Sequence, residues 1–324
     1  MLVASACELF TRQRIRRTVV NQFFRFQSNL PVFISVNRRF TVSLMTDYLA
    51  RHAQQMRQGG WWQDMTLDQS FQRAVSRFPE KTALVAYRTG LADPQRWTYT
   101  ELAQKVARAA GALRALGLGP GDVVAVQLPN WWEFVVVALA CQRVGAVVNP
   151  LMHIFREREM AYMLGFSEAK MLVVPQVFRG FDHEAMAESL RARLPALRHV
   201  VVVDGAASNN FSRMLLESTA APVPGSSSPS CSPDALAVLM FTSGTTGEPK
   251  GVTHSANTLT ACTHALAGRF HLNADDVMLA CSPMGHMTGY ASMFLQSIYL
   301  GATLVLQDIW EPQRGVAIMV REGV

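Results

Sequence analysis

The sequence predicts an α/β protein in which layered parallel or mixed sheets are flanked by helices. The 324 residues are 49% hydrophobic and 17% charged, a composition typical of a chain that buries a sizeable core. From about residue 61 onward, short apolar runs bounded by turn residues alternate with longer segments of helical period. This alternation indicates parallel strands joined by right-handed helical crossovers.

The alternation begins with a helix that we expect Thr100 to cap and that runs to Leu116, where a cluster of glycines ends it. A buried strand over 123–128 follows, and Pro129-Asn130 predicts a turn. The same reasoning predicts helices over 132–144, 156–164 and 184–194 and strands over 146–148, 171–174, 199–203 and 235–241. The order is that of repeated strand–helix units.

The formal net charge of +6 is confined to the first 46 residues, which are rich in arginine and contain one acid, Glu8. The remaining chain is balanced, so a nucleic-acid surface is not expected. We interpret 1–46 as a leader outside the fold: either a start assigned too far upstream of Met45, which we favour, or a mitochondrial transit peptide. The domain is then 47–324, in the cytoplasm or, with a transit peptide, in the mitochondrial matrix.

The five cysteines are odd in number and lack a Cys-x-x-Cys spacing, so neither a disulfide framework nor a zinc site is expected. No metal-ligating residues are predicted. Cys141, Cys262 and Cys281 are interpreted as core thiols. No apolar run approaches the roughly 20 residues of a transmembrane helix. The Ser- and Pro-rich stretch over 218–234 is interpreted as a surface loop that connects two parts of the fold.

A Thr-, Ser- and Gly-rich run follows the apolar strand over 235–241. Its glycines allow close approach of a ligand, its backbone amides can form an anion-binding nest, and its lysine supplies a point charge suited to phosphate. The residues that we expect to hold phosphate are Thr242, Ser243, Gly244, Thr245, Thr246, Gly247 and Lys250.

Two other interpretations of this loop are disfavoured. A Walker loop needs Gly-Lys followed by Ser or Thr and then a helix, whereas Lys250 stands between Pro249 and Gly251 and a short strand over 252–254 follows. The helix is expected later, with Ser255 as its N-cap. A flexible linker would not require lysine, proline and glycines in a fixed order between apolar strands.

The run from Phe241 to Gly251 resembles the signature loop of the AMP-forming adenylating superfamily, which includes acyl-CoA synthetases, firefly-type luciferases and peptide-synthetase adenylation domains. The segment Pro283-Met284-Gly285-His286-Met287-Thr288-Gly289 resembles the later Pro-x-x-His-x-x-Gly segment of the same superfamily. The stretches over 127–134, 143–151 and 155–159 look most like short- and medium-chain fatty acyl-CoA and cyclohexanecarboxylate–CoA ligases.

The resemblance implies an ATP-dependent acid–CoA ligase that forms an acyl-adenylate and pyrophosphate and then transfers the acyl group to CoA. ATP, Mg²⁺, CoA and a small carboxylic acid are the implied cofactors and substrates. His286 is implied to lie beside the adenylate and to position the carboxylate, the alternative being a hydrogen-bonded structural histidine. Arg156 and Arg158 could meet a CoA phosphate, although we favour a solvated helix face for both.

The superfamily's Tyr-Gly-x-Thr-Glu segment, ribose-binding aspartate and C-terminal domain do not occur before Val324. Residues 47–324 are therefore expected to be an incomplete N-terminal domain of an adenylate-forming enzyme, with little or no ligase activity alone. Three alternatives stay open: a P-loop kinase, a catalytically inactive nucleotide-binding remnant, and an amino-acid adenylation domain. The last needs a buried acid for the substrate ammonium group, and 281–307 contains no Asp or Glu.

Overall fold

The computed structural model describes residues 50–225, 231–242 and 249–324. The predicted leader over 1–46 and five of the seven predicted phosphate-holding residues, Ser243 to Gly247, lie outside this part of the chain. The predicted fold class is confirmed, because strands and helices alternate and the strands form sheets that helices cover.

The strands are β1 (Thr82–Tyr87), β2 (Gln95–Thr98), β3 (Val123–Val126), β4 (Val147–Pro150), β5 (Met171–Pro175), β6 (Val177–Phe178), β7 (Phe181–Asp182), β8 (His199–Val203), β9 (Leu236–Thr242), β10 (Lys250–Ser255), β11 (Val277–Ala280) and β12 (Thr303–Gln307). The helices are α1 (Leu67–Arg77), α2 (Tyr99–Ala115), α3 (Trp132–Val144), α4 (Glu157–Ser167), α5 (His183–Arg193), α6 (Ala256–Phe270), α7 (Gln296–Leu300) and α8 (Pro312–Glu322). Two π-helical segments cover Ser212–Leu216 and Thr288–Leu295. A further helical stretch spans 50–58.

The large sheet has the strand order β10-β9-β4-β3-β5-β8. Its neighbours from β9 to β8 are parallel, as the sequence predicts, and only β10 runs antiparallel. In a parallel sheet the carboxyl ends of the strands share one edge, where ligands of α/β proteins commonly bind. The predicted phosphate loop begins at this edge, since it follows β9.

The small sheet has the order β11-β12-β1-β2 and was not predicted from the sequence. Its central pair, β1 and β12, is parallel, with Leu84 opposite Leu304. Strand β11 is also parallel to β12, so its carboxyl end opens on the same edge as theirs. The Pro283–Gly289 segment follows this end of β11.

The helix predicted from Thr100 starts earlier, so the expected cap is wrong. Thr98 is the N-cap: its hydroxyl accepts from the Glu101 amide at 3.2 Å, and the Glu101 carboxylate accepts from the Thr98 amide at 2.8 Å. This reciprocal pair satisfies two amides that the first helical turn leaves without partners. The hydroxyl of Thr100 instead donates to the Pro79 carbonyl at 2.9 Å.

Helix α3 is buried on nearly all sides and contributes to the main hydrophobic core, which draws on both sheets. Cys141, on α3, is buried as predicted. The prediction is wrong for Cys262 and Cys281, which are exposed. Cys262 lies off the buried stripe of α6, and Cys281 lies beyond the end of β11. Within the described ranges, no helix combines the length and the hydropathy needed to cross a bilayer.

Candidate active site

The two described ends of the predicted phosphate loop lie opposite each other in a β-hairpin. Strands β9 and β10 are antiparallel, and Lys250 pairs with Thr242 while Gly251 pairs with Phe241. Both Thr242 and Lys250 are exposed at the carboxyl edge of the large sheet. The six intervening residues, 243–248, are not described. The hairpin therefore brings a hydroxyl and an ammonium group together at the mouth of the loop.

The element that follows the loop is a strand, as predicted, and a helix begins only after it. Ser255 is the N-cap of α6, and its hydroxyl accepts from the Thr258 amide at 3.2 Å. A Walker loop would continue directly into a helix. The strand–loop–strand geometry thus disfavours the P-loop interpretation on structural grounds.

His286 is exposed and lies in a tightly folded segment between β11 and a π-helical turn. Its amide donates to the Pro283 carbonyl at 3.0 Å, and its carbonyl accepts from the Tyr290 amide at 2.9 Å. The Thr288 amide donates to His286 Nδ1 at 3.3 Å. Because Nδ1 accepts a hydrogen bond, the neutral imidazole carries its proton on Nε2. His286 therefore presents an Nε2–H donor.

Two glycines allow this segment to fold closely. A Cβ on Gly285 would lie 2.7 Å from the carbonyl carbon and oxygen of Leu151, and a Cβ on Gly289 would lie 2.3 Å from the Pro283 carbonyl oxygen. Neither backbone contact could be relieved by a side-chain rotation. The first glycine therefore seats the His286 segment on the chain that leaves β4, and the second closes the segment on itself.

The His286 segment and the hairpin lie at neighbouring positions on the carboxyl edge of the large sheet. Val148 of β4 is in register with Val238 of β9, and the two strands are parallel. Leu151 and Phe241 each lie three residues beyond these paired positions, so they stand at the same level of the carboxyl edge. Because Gly285 packs on Leu151, the His286 segment lies beside the end of β9, where the predicted phosphate loop begins.

Asn130 links the two sheets, a role that sequence reasoning missed. It lies beyond β3 in the large sheet, is 5% exposed, and donates from Nδ2 to the Ala280 and Ser282 carbonyls at 2.9 and 3.0 Å. Its Oδ1 accepts from the Met284 amide at 2.9 Å. The only sequence signal was a Pro-Asn turn, which by itself indicates a loop.

A buried polar cluster supports the chain that carries Leu151. Gln127 donates from Nε2 to the Met152 and Phe155 carbonyls at 3.1 and 2.9 Å, and its Oε1 accepts from His183 Nδ1 at 3.3 Å. Burial, with the positive charge of Arg156 next, lowers the pKa of His183 to about 4. His183 is therefore neutral at physiological pH and serves as a hydrogen-bond donor to Gln127.

Other residues near the His286 segment and the start of α6 occupy packing or surface positions. Tyr290 and Met284 are fully buried, and Tyr290 packs edge-on against Phe134 and Phe294. Asn257, at the start of α6, donates to the carboxylates of Asp64 and Asp234, which is a structural role. Met287 is half-buried and Thr288 is exposed.

The two arginines suggested for a CoA phosphate are exposed, but their surroundings differ. The guanidinium of Arg156 stacks on Phe181, 4.0 Å from its ring centroid, and donates to the His153 and Phe155 carbonyls. This side chain is therefore fixed in place, unlike a freely solvated one. No described contact fixes Arg158.

Comparison with known proteins identifies the family of the chain. The profile of the AMP-binding enzyme family matches residues 71–324. The chain is 33% identical over 266 residues to a medium-chain fatty-acid–CoA ligase of Escherichia coli (strain K12), covering 82% of this chain and 46% of the relative. It is 36% identical over 276 residues to a salicyl-AMP ligase / salicyl-S-ArCP synthetase of Mycobacterium tuberculosis, covering 85% and 48%.

Solved structures show the same fold. The apo structure of Mycobacterium smegmatis MbtA superposes with a TM-score of 0.75 at 32% identity, over 85% of this chain and 50% of the other. The inhibitor-bound N-terminal domain of FACL13 from Mycobacterium tuberculosis gives 0.68 at 24% identity and supports the fold alone. The chain spans about half the length of the curated relatives it matches. The family match includes both the hairpin and the His286 segment, and the chain belongs to the AMP-binding enzyme family.

Proposed function

We propose that this chain forms the adenylation half-site of an ATP-dependent acid–thiol ligase, which converts a carboxylic acid to an acyl-adenylate and pyrophosphate. The observation that carries the proposal is the hairpin, in which Thr242 and Lys250 face each other at the carboxyl edge of the large sheet beside the His286 segment. A nucleotide phosphate and a carboxylate need such neighbouring sites if they are to react with each other.

The physical difficulty of adenylation is that two anions must approach each other. A lysine ammonium, hydroxyl groups and loop amides lower this repulsion at the phosphate, and a fixed orientation supplies much of the remaining rate. Mg²⁺ would accompany the ATP phosphates and neutralise part of their charge; the hydroxyl of Thr242 is an oxygen donor suited to it. We assign the phosphates to Thr242, Ser243, Gly244, Thr245, Thr246, Gly247 and Lys250.

We assign His286 to the carboxylate. Its Nε2–H is a neutral donor, so it can orient a carboxylate oxygen without removing the negative charge that makes that oxygen a nucleophile. The Thr288 amide on Nδ1 holds the imidazole in this tautomer. A proton-accepting role for His286 would require the opposite tautomer.

We propose a fatty or alicyclic acid as the substrate and CoA as the thiol acceptor. The half-buried methionines Met287 and Met293 provide adaptable apolar surface near the His286 segment, whereas Met284 is buried in the core. No acidic residue occurs over 281–307 to pair with an amino-acid ammonium group. Relatives named for fatty-acid and aryl-acid ligation support an acid that lacks an ammonium group, and one is named for transfer to ArCP rather than to CoA.

The test incubates the purified chain with MgATP and, in separate samples, with octanoate, cyclohexanecarboxylate, salicylate or an amino acid. Binding is measured by calorimetry with MgATP and with the matching acyl sulfamoyl adenosines, and product nucleotides are separated by chromatography. We expect saturable binding of MgATP and of one acyl analogue, and any turnover to give AMP. Formation of ADP would support a kinase, tightest binding of an aminoacyl analogue would support amino-acid adenylation, and binding of neither ligand would refute the proposal.

A further inference from the structure

Asn130 spans the boundary between the two sheets at the point where their carboxyl edges meet. It lies in the turn beyond β3, at the centre of the large sheet, whereas all three of its side-chain partners lie at or after the end of β11 in the small sheet. At 5% exposure, Asn130 has little access to bulk water as an alternative partner. These bonds therefore determine how the end of β11 lies against the large sheet.

The three bonds use both ends of the amide in a way that few side chains can reproduce. Nδ2 donates to the carbonyls of Ala280 and Ser282, and Oδ1 accepts from the amide of Met284. One side chain must therefore present a donor to two carbonyls and an acceptor to an amide of the same short segment. Aspartate has the same shape but would place an oxygen against two carbonyl oxygens, which is repulsive.

The partners of Asn130 lie just before His286 in the chain. Ala280, Ser282 and Met284 are all within the six residues that precede it. The second fixed point of the segment is the contact of Gly285 with Leu151, which also belongs to the large sheet. His286 is thus attached through two neighbouring contacts to the sheet that carries the phosphate hairpin, although its own strand belongs to the other sheet.

We propose that Asn130 is a positioning residue that sets the His286 segment, and with it the acid-binding half of the site, relative to the phosphate hairpin. This inference rests on the proposed function. Its consequence is selective: a ligand that spans both halves of the site depends on Asn130, whereas a ligand held by the hairpin alone does not. A residue that only stabilised the fold would affect both kinds of ligand equally.

The first test compares two ligands in three variants. Asn130→Ala removes all three bonds, and Asn130→Asp keeps the shape but reverses the polarity toward two carbonyls. The matched control is Asn210→Ala, because Asn210 also donates to a carbonyl, that of Gly205, and accepts from an amide, that of Arg213, within one loop away from the His286 segment. Calorimetry measures binding of MgATP and of the acyl sulfamoyl adenosine that the unmodified chain binds most tightly.

We expect both Asn130 variants to weaken binding of the acyl analogue about tenfold or more, the change that loss of one or two net hydrogen bonds produces. Binding of MgATP should change less than about twofold, and the Asn210 control should change neither. Asn130→Asp should be the weaker binder although it leaves no cavity. Equal loss of both ligands, or unchanged binding of the analogue, would overturn the proposal.

A second measurement needs no ligand and so separates this proposal from the proposed function. Cys281 is exposed and stands between Ala280 and Ser282, both of which are held by Asn130. In a chain with Cys7, Cys231 and Cys262 replaced by Ser, the rate of alkylation by iodoacetamide reports on this segment, since Cys141 is buried. The rate should rise several-fold in both Asn130 variants and not in Asn210→Ala. An unchanged rate in folded variants, verified by circular dichroism, would show that Asn130 does not hold the segment.

Discussion

Arg143 and Asp68 form an ion pair that is removed from solvent. The guanidinium donates from Nε and Nη2 to one oxygen of Asp68, at 3.1 and 3.0 Å, and both side chains are only 1% exposed. Nη1 donates to the carbonyl of Val223 at 3.3 Å. The pair joins α1 to α3 within the core and leaves one oxygen of Asp68 without a described partner.

Replacing Arg143 by Met should destabilise the chain by about 3–5 kcal/mol, because the carboxylate of Asp68 would stay buried without compensation. Urea denaturation followed by circular dichroism measures this change. The exposed pair of Arg191 and Glu188 provides the control, and Arg191→Met should cost less than about 1 kcal/mol. Similar losses in both variants would mean that burial does not govern the contribution of the Arg143 pair.

Glu133 should make the chain less stable as the pH rises. Burial, offset in part by a backbone hydrogen bond and by Arg88, raises the pKa of this carboxyl to about 7 from the ordinary 4.5, and the residue is 4% exposed. Between these two values the folded chain binds the proton and the unfolded chain does not, so stability is lost as the pH rises through this window. The loss should approach about 3 kcal/mol by pH 8.

Glu133→Gln removes this titration while keeping the shape of the side chain. The free energy of unfolding, measured in urea from pH 5 to pH 8, should therefore fall more steeply for the unmodified chain than for the variant. Parallel curves would contradict the assignment of a raised pKa to Glu133.

Gly285→Ala should weaken binding of the acyl sulfamoyl adenosine about tenfold or more and destabilise the chain by about 1–3 kcal/mol. The added Cβ would meet the backbone of Leu151 and lift the His286 segment from the large sheet. Gly268→Ala is the matched control: a Cβ at this position on α6 would have nothing within 4 Å, so the change should leave binding unaltered and stabilise the helix by about 0.5–1 kcal/mol. Equal effects of the two changes would argue against the close contact.

Lys250→Met should weaken binding of MgATP about tenfold, and the difference from the unmodified chain should shrink as salt is added, because the lost contribution is electrostatic. Lys170→Met is the control. Lys170 precedes β5 at the opposite, amino edge of the large sheet, where it pairs with Asp122. Calorimetry at two salt concentrations distinguishes a phosphate contact from a general loss of positive charge, which would affect both variants alike.

Local patterns were sufficient to predict the strands that form the large sheet and their mainly parallel pairing, but not their order. The helix over 132–144 and the strand over 199–203 have the predicted bounds, because both are mostly apolar and turn residues follow them. The cap at Thr98 was also visible in the sequence as Thr-Tyr-Thr-Glu, with Glu101 three residues after Thr98. Thr100 was the wrong choice because no Glu or Gln follows it at that spacing.

The small sheet and the role of Asn130 could not be predicted in this way. Leu84 and Leu304 are neighbours in the sheet but distant in the chain, and a single sequence contains no signal that pairs them. The role of Asn130 likewise depends on its hydrogen bonds to residues at and after the end of β11, which are distant in the chain. The predicted phosphate loop could be recognised in the sequence because its residues are consecutive, whereas the residues that contact the His286 segment come from separate elements.

The Ser- and Pro-rich connector contains a constraint for protein engineering. Val223 donates its amide to the Ala107 carbonyl at 2.9 Å and offers its own carbonyl to Arg143, while a Cβ on Gly111 would lie 2.3 Å from the Ala221 carbonyl oxygen. A reporter domain inserted before Val223, or a split of the chain there, would disturb the partner of a core arginine. An insertion that keeps these contacts belongs after Gly225. The low-complexity composition of 218–234 therefore suggests a longer permissive stretch than the contacts of Ala221 and Val223 allow.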